Sequence, residues 1–202
     1  MTRSGAATRQ ASTELTALLG GRPIVLIGMM GAGKTTVGRR LAAKLGRHFI
    51  DSDEEIEKAA GMAIEDMFVA HGEAEFRAGE ARVIARILRE NDIVLATGGG
   101  AFINPDTRGL VKSSAVSVFI AADFELLFSR VSRRHNRPLL KTANPRQTLR
   151  TLIDTRYPVY AEADVTVQSQ DVPQDVVAGE VIEAVVAYLK ARAVAVEPAD
   201  VR

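Results

Sequence analysis

The chain contains no cysteine, which removes disulfides, thiolate metal sites and cysteine nucleophiles together. No apolar run approaches the roughly 20 residues a helix needs to span a bilayer. An excess of one charge is also missing: 26 Lys and Arg against 25 Asp and Glu leave a net charge of +1, so coating of a nucleic acid or another polyanion is excluded as the main activity. The three histidines, His48, His71 and His135, lack ligand-like spacing and offer no zinc site. What remains is 47% hydrophobic and 25% charged residues in a chain of 202, the composition of a single globular domain with a real core. A reducing cytoplasm is the expected location.

Residues 1–22 are rich in Ala, Thr, Ser and Arg, carry one acid (Glu14) and end in Gly20-Gly21. They read as a flexible N-terminal extension, and residues 191–202, with Pro198, read as a frayed C-terminal tail. Between them, over 23–190, short apolar runs alternate with longer amphipathic stretches. Strands are expected at Ile24 to Ile27, His48 to Ile50, Ile93 to Thr97, Ala115 to Ile120 and Val165 to Val167. Most of these runs are apolar throughout, as suits strands covered on both faces. Helix starts are signalled by Asn104-Pro105, Asn144-Pro145 and Pro173, with Asp123 as a further cap. A helix is also expected from Glu73 to Asn91. In the last helix Val177, Val181, Val185 and Leu189 recur every fourth residue, which marks one buried stripe. The alternation predicts an α/β sandwich on a parallel sheet.

The first strand runs into Gly28-Met29-Met30-Gly31-Ala32-Gly33-Lys34-Thr35 and then into a helical pattern from Thr36, a fit to GxxxxGK[ST] in its strand, loop and helix context. Glycines let successive backbone N–H groups turn inward, and the helix N-terminus adds partial positive charge facing the phosphates. The pattern assigns Gly31, Ala32, Gly33, Lys34, Thr35 and Thr36 to ATP, with Lys34 on the β and γ phosphates and Thr35 on Mg²⁺. A guanine-specific switch would need Asn-Lys-x-Asp, and none of Asn91, Asn104, Asn136 or Asn144 precedes Lys. Asp106-Thr107-Arg108-Gly109 matches the short DxxG pattern but sits in a helix opened by Pro105. At the end of the second strand, Asp51-Ser52-Asp53 places two carboxylates in the ligand crevice. Asp51 and Asp53 can divide two tasks, one supporting hydrated Mg²⁺ and the other accepting a hydrogen bond from a substrate hydroxyl, while Glu54 and Glu55 read as first-turn helix residues.

Further along come Phe76-Arg77 after Gly72-Glu73-Ala74-Glu75, Gly98-Gly99-Gly100, Arg137-Pro138-Leu139-Leu140 and Arg156-Tyr157-Pro158-Val159-Tyr160. Together with the phosphate loop and FIDSDEEIE, in this order and spacing over roughly residues 23 to 190, the set resembles shikimate kinase. The resemblance implies a nucleoside monophosphate kinase-like P-loop fold: three layers around a five-stranded parallel sheet in order 2-3-1-4-5, with a mobile lid at about 130–144. It also implies Mg²⁺·ATP-dependent phosphorylation of the 3-hydroxyl of shikimate. By the same resemblance Arg77 and Arg156 take the shikimate carboxylate, for which the bidentate guanidinium is the suited cation. Gly98, Gly99 and Gly100 bring backbone close to the substrate, and Asp53 holds the attacked hydroxyl. Arg130 contacts the nucleotide, and Arg137 folds over the phosphates as charge spreads in the transition state. Gln170-Asp171-Val172 is where relatives vary and some offer a side chain to adenine. The expected partners are shikimate and ATP, with no nucleic acid or membrane, and the expected state is a monomer. Two alternatives stand beside this reading: another small-metabolite kinase such as a gluconate-type kinase, and a nucleotide-binding partner protein that has lost turnover. Intact Lys34, Asp53 and Arg137 oppose the second.

Overall fold

The computed structural model describes residues 3–133 and 143–196. Its sheet is built from β1 (Ile24–Ile27), β2 (His48–Asp51), β3 (Ile93–Ala96), β4 (Val116–Ala121) and β5 (Val165–Gln168). All pairings are parallel and the order is β2-β3-β1-β4-β5. β1, β3 and β4 are buried at every position, because helices cover both faces of the sheet's centre. β5, at the edge, alternates buried and exposed residues.

The helices are α1 (Arg3–Leu19), α2 (Lys34–Leu45), α3 (Ser52–Ala60), α4 (Ile64–Ile87), α5 (Pro105–Ser114), α6 (Phe124–Ser132), α7 (Pro145–Tyr160) and α8 (Gln174–Val196), with a short 3₁₀ turn at Ala101–Ile103. Two of the expected caps form as read. Asn104 accepts from the N–H groups of Asp106 and Thr107, and Asn144 accepts from that of Gln147, which satisfies donors that a helix start leaves open. Asp123 precedes α6 without capping it. Its Oδ1 instead accepts from Gln168 Nε2 at 3.3 Å.

The structure corrects three boundaries. The N-terminal segment read as a flexible extension contains α1, which packs against α8 and α2. Leu15 and Leu19 are fully buried there, with Ala11 and Leu18 beside them, a spacing of i, i+4, i+7 and i+8 that makes one apolar stripe. Glu14 also meets Lys190 of α8 at 2.5 Å. The C-terminal stretch read as frayed continues α8 as far as Val196, although residues 191–195 are exposed; its Ala and Arg residues are good helix formers and no proline intervenes before Pro198. Finally, the helix expected at Glu73 to Asn91 begins at Ile64, is kinked at Gly72, and ends at Ile87.

Candidate active site

α2 starts directly out of the loop after β1. Gly33, its N-terminal cap, has φ 99°, and Gly28 has φ 145° with space for a Cβ closed by Ile120 O at 2.6 Å. Both positions demand glycine. Lys34 Nζ donates to the carbonyls of Gly28 and Met29 at 2.8 and 3.0 Å, so the cation lies over the loop that would hold the phosphates. Ala32 is fully buried and its N–H donates to Met29 O at 3.1 Å; it shapes the turn. Gly31, Gly33, Thr35 and Thr36 line a cleft of about 490 Å³.

The sheet order puts β3 between β1 and β2, yet the end of β2 still reaches the loop: Thr35 Oγ1 donates to Asp51 Oδ2 at 2.9 Å. The other Asp51 oxygen caps α3 by accepting from the Asp53 N–H at 3.0 Å. Asp53 is thereby fixed in the first turn of α3, lining the same cleft as the phosphate loop. Two hard oxygens from Thr35 and Asp51 suit Mg²⁺, which commonly takes one or two protein ligands and completes its shell with phosphates and water.

Across the cleft, the Gly98–Gly100 run is held by its surroundings. Gly98 N–H donates to Ser52 Oγ at 3.0 Å. A Cβ on Gly98 would lie 2.7 Å from Asp53 Oδ1 and 3.0 Å from Glu80 Oε1, and one on Gly100 would lie within 2.4–2.5 Å of three atoms of the Arg77 guanidinium. Two carboxylates and a guanidinium therefore close on bare backbone. Arg156 Nη1 donates to Gly99 O at 3.2 Å. The N–H groups of Gly99 and Gly100 meet no acceptor among the described residues. Two arginines beside two backbone donors that lack an acceptor among the described residues are suited to receiving a carboxylate.

Glu80 is a residue that the sequence reading missed. It is 2% exposed and its Oε2 accepts from Arg77 Nη1 at 2.8 Å. Burial pushes its carboxyl above the ordinary value; the Arg77 hydrogen bond and charge oppose this, while Asp53 adds to it. For Arg77, burial works to lower the guanidinium, but Glu80 and Glu73 outweigh it and hold the group above its ordinary value. A signal was available: Phe76, Glu80, Ile84 and Ile87 share the buried face of α4, so a carboxylate stands in an apolar stripe.

On the nucleotide side, Arg130 links the phosphate loop to the segment after β5. It donates to Gly31 O at 3.3 Å, Ser169 Oγ at 3.2 Å and Gln170 O at 3.1 Å. In that segment Asp171 is exposed, and the side chain that lines the cleft is Gln174. Residues 134–142, which include Arg137, His135 and most of the expected lid at about 130–144, lie outside the described residues. Among the described residues, no cluster of His, Asp or Glu could hold a metal on its own, and no helix is long and apolar enough to cross a membrane.

A family model for shikimate kinase matches residues 30–186. The shikimate kinase of Bradyrhizobium diazoefficiens is 52% identical over 194 residues, covering 95% of this chain and 94% of that protein. The shikimate kinase from Acinetobacter baumannii in complex with shikimate is similar in structure, with a TM-score of 0.82 and 39% identity over 86% of this chain and 97% of that one. A gluconokinase from Sinorhizobium meliloti is also similar, with a TM-score of 0.55 and 20% identity over 87% of this chain and 95% of that one, a likeness of fold alone. The gluconate-type alternative gives way to the closer relationship, and the chain belongs to the shikimate kinase family.

Proposed function

We propose a division of labour by which this member of the shikimate kinase family transfers the γ-phosphoryl group of ATP to the 3-hydroxyl of shikimate, a step toward chorismate and the aromatic amino acids. The observation that supports it is the convergence, at one end of the sheet, of the Lys34–Thr35–Asp51 group with Asp53, Arg77, Glu80 and Arg156 around Gly98–Gly100. Gly31, Ala32, Gly33 and Thr36 shape and line the phosphate cradle, and Arg130 sits at its nucleotide side. Thr35 and Asp51 would hold Mg²⁺, and the ion would supply neutralisation of charge on the transferring phosphoryl group. Arg77, Arg156 and the Gly99 and Gly100 N–H groups take the shikimate carboxylate.

Asp53 orients the 3-hydroxyl. The hydroxyl oxygen forms its bond to the γ-phosphorus while the bond from phosphorus to the bridging oxygen breaks, and the hydroxyl proton passes to the Asp53 carboxylate. Lys34 and, by family resemblance, Arg137 stabilise the charge that spreads over the transferring group. A loose transition state asks more of positioning than of basicity, so the main service of Asp53 is alignment. We read the enzyme as a cytoplasmic monomer acting on small molecules only: its co-substrate ATP is cytoplasmic, and the net charge of +1 gives no basic field for nucleic acid.

A coupled ADP-release assay comparing shikimate, gluconate and nucleoside monophosphates tests the reading. Turnover with shikimate at least a hundredfold above the others is expected. Equal or greater turnover with gluconate would overturn it. Light scattering at the mass of one 21.7 kDa chain is the expected result for the oligomeric state.

A further inference from the structure

We propose that Tyr160 is a positioning residue for shikimate, acting through the peptide between Gly99 and Gly100. This rests on the acceptor site described above. Tyr160 ends α7 and is fully buried. Its ring packs on Phe119, with centroids 5.3 Å apart, and its hydroxyl donates to the Gly99 carbonyl. The same hydroxyl lies 3.8 Å from Met29 Sδ, in the phosphate loop. One O–H group thus touches both the acceptor-side glycines and the donor-side loop.

A buried tyrosine needs some hydrogen-bond partner, and a structural role would be met by any nearby carbonyl. The carbonyl chosen here is one that Arg156 also grips, at 3.2 Å. Three consecutive glycines are conformationally loose, and two donors converging on Gly99 O fix the plane of the peptide that follows. The peptide bonds of this segment are trans, so a fixed carbonyl aims the Gly100 N–H in the opposite direction. That N–H is one of the two backbone donors of the carboxylate receptor. Tyr160 therefore sets the receptor's shape before shikimate arrives, and such preorganisation reduces the ordering cost of binding. Burial pushes the Tyr160 hydroxyl up to about 12, the nearby Arg156 opposing this, so the group stays a donor throughout the working pH range.

Tyr160→Phe keeps the ring and removes only the hydroxyl. Losing one such hydrogen bond should raise the KM for shikimate about five- to tenfold, with the KM for ATP within about twofold of wild type. Nitrogen–proton correlation spectra should show the Gly100 amide displaced and that of Thr35 in place, and circular dichroism should show an intact fold. A folded variant with the shikimate KM unchanged overturns the proposal, as does an equal rise in both KM values, which would mean general loosening. If Tyr160→Phe fails to fold, the hydroxyl is structural and the proposal is likewise overturned. Arg77→Ala and Arg156→Ala run alongside separate the two levels of inference. Should neither raise the shikimate KM, the acceptor site itself is misplaced and Tyr160 loses its role with it; should they raise it while Tyr160→Phe does not, only the role of Tyr160 falls.

Discussion

Two carboxyl groups at opposite ends of the sheet, one buried and one half-buried, are displaced in opposite directions. Glu80, at the ligand end, is pushed up by burial despite its contact with Arg77. Asp164 lies at the other end, where β4 and β5 begin. Burial works to raise it too, but hydrogen bonds from Ser117 and Tyr188 outweigh this and hold it below the ordinary value. Its Oδ2 accepts from Ser117 N–H at 2.9 Å and Ser117 Oγ at 2.6 Å, and its Oδ1 accepts from the Tyr188 hydroxyl at 2.5 Å. One carboxylate is saturated with donors and ties β4, β5 and α8 together. The other shares its space with Asp53 and rests mainly on one arginine. Saturated charges anchor a fold, and under-satisfied ones mark where a ligand's polar groups are expected.

The contrast breaks most readily at the ligand end. Asp53→Asn should lower kcat by roughly 10² to 10⁴-fold if the carboxylate takes the proton, and Lys34→Ala by roughly 10²-fold or more, each with an unchanged melting temperature. Turnover and shikimate affinity measured separately show whether Asp53 acts on the transition state or chiefly on binding; an Asp53→Asn enzyme with both near wild type would leave Asp53 as a first-turn helix residue only.

Leu15→Ala, in α1, should do the reverse. It should cost about 2–5 kcal/mol of stability by denaturant titration, as other buried leucine truncations do, with kcat retained in the folded fraction. A loss below about 0.5 kcal/mol would show that α1 is not part of the core.

Arg77→Ala and Arg156→Ala should raise the shikimate KM by about 10- to 100-fold, the scale of a lost charge-assisted hydrogen bond, and leave ATP affinity close to wild type. Abolished ATP binding in a folded variant would contradict their assignment to the acceptor.

Asp164→Asn sharpens the comparison from the quiet end, with an expected stability loss of about 1–2 kcal/mol at pH 7 and no change in either KM. The sign with pH follows from the depressed value: the stabilisation is present above the unfolded value of about 3.8 and is lost as pH falls through the lower folded one. The gap between wild type and variant should therefore narrow under acid. Glu80 has the opposite sign, since its raised value makes ionisation cost stability as pH climbs past 4.5.

The parts of the molecule legible in the sequence were those where local chemistry decides. Ile24 to Ile27 followed by GxxxxGK[ST] admits few structures, and Asn104-Pro105 and Asn144-Pro145 carry their capping partners within three residues. α1 was lost because its Ala, Thr and Ser residues resemble a tail; the four apolar positions that matter gain meaning only once α8 lies beneath them. Glu80 was lost because a carboxylate on a helix rich in arginine reads as a solvated face until Gly98 and Asp53 arrive from β3 and α3. Gln174 is similar, one residue past the proline that signalled the helix, and it enters the cleft because α8 starts beside Gly33. Each omission concerns a side chain whose surroundings come from distant segments.

Asp51 has one further consequence. Its two oxygens serve different masters, one the Thr35 hydroxyl at the end of the phosphate loop and the other the first turn of the helix that carries Asp53. Any free energy by which a magnesium nucleotide shifts that carboxylate is felt by the helix turn, and thermodynamic reciprocity requires that shikimate return the same factor to the nucleotide. A single aspartate thus joins the donor and acceptor sides through one hydrogen bond to each.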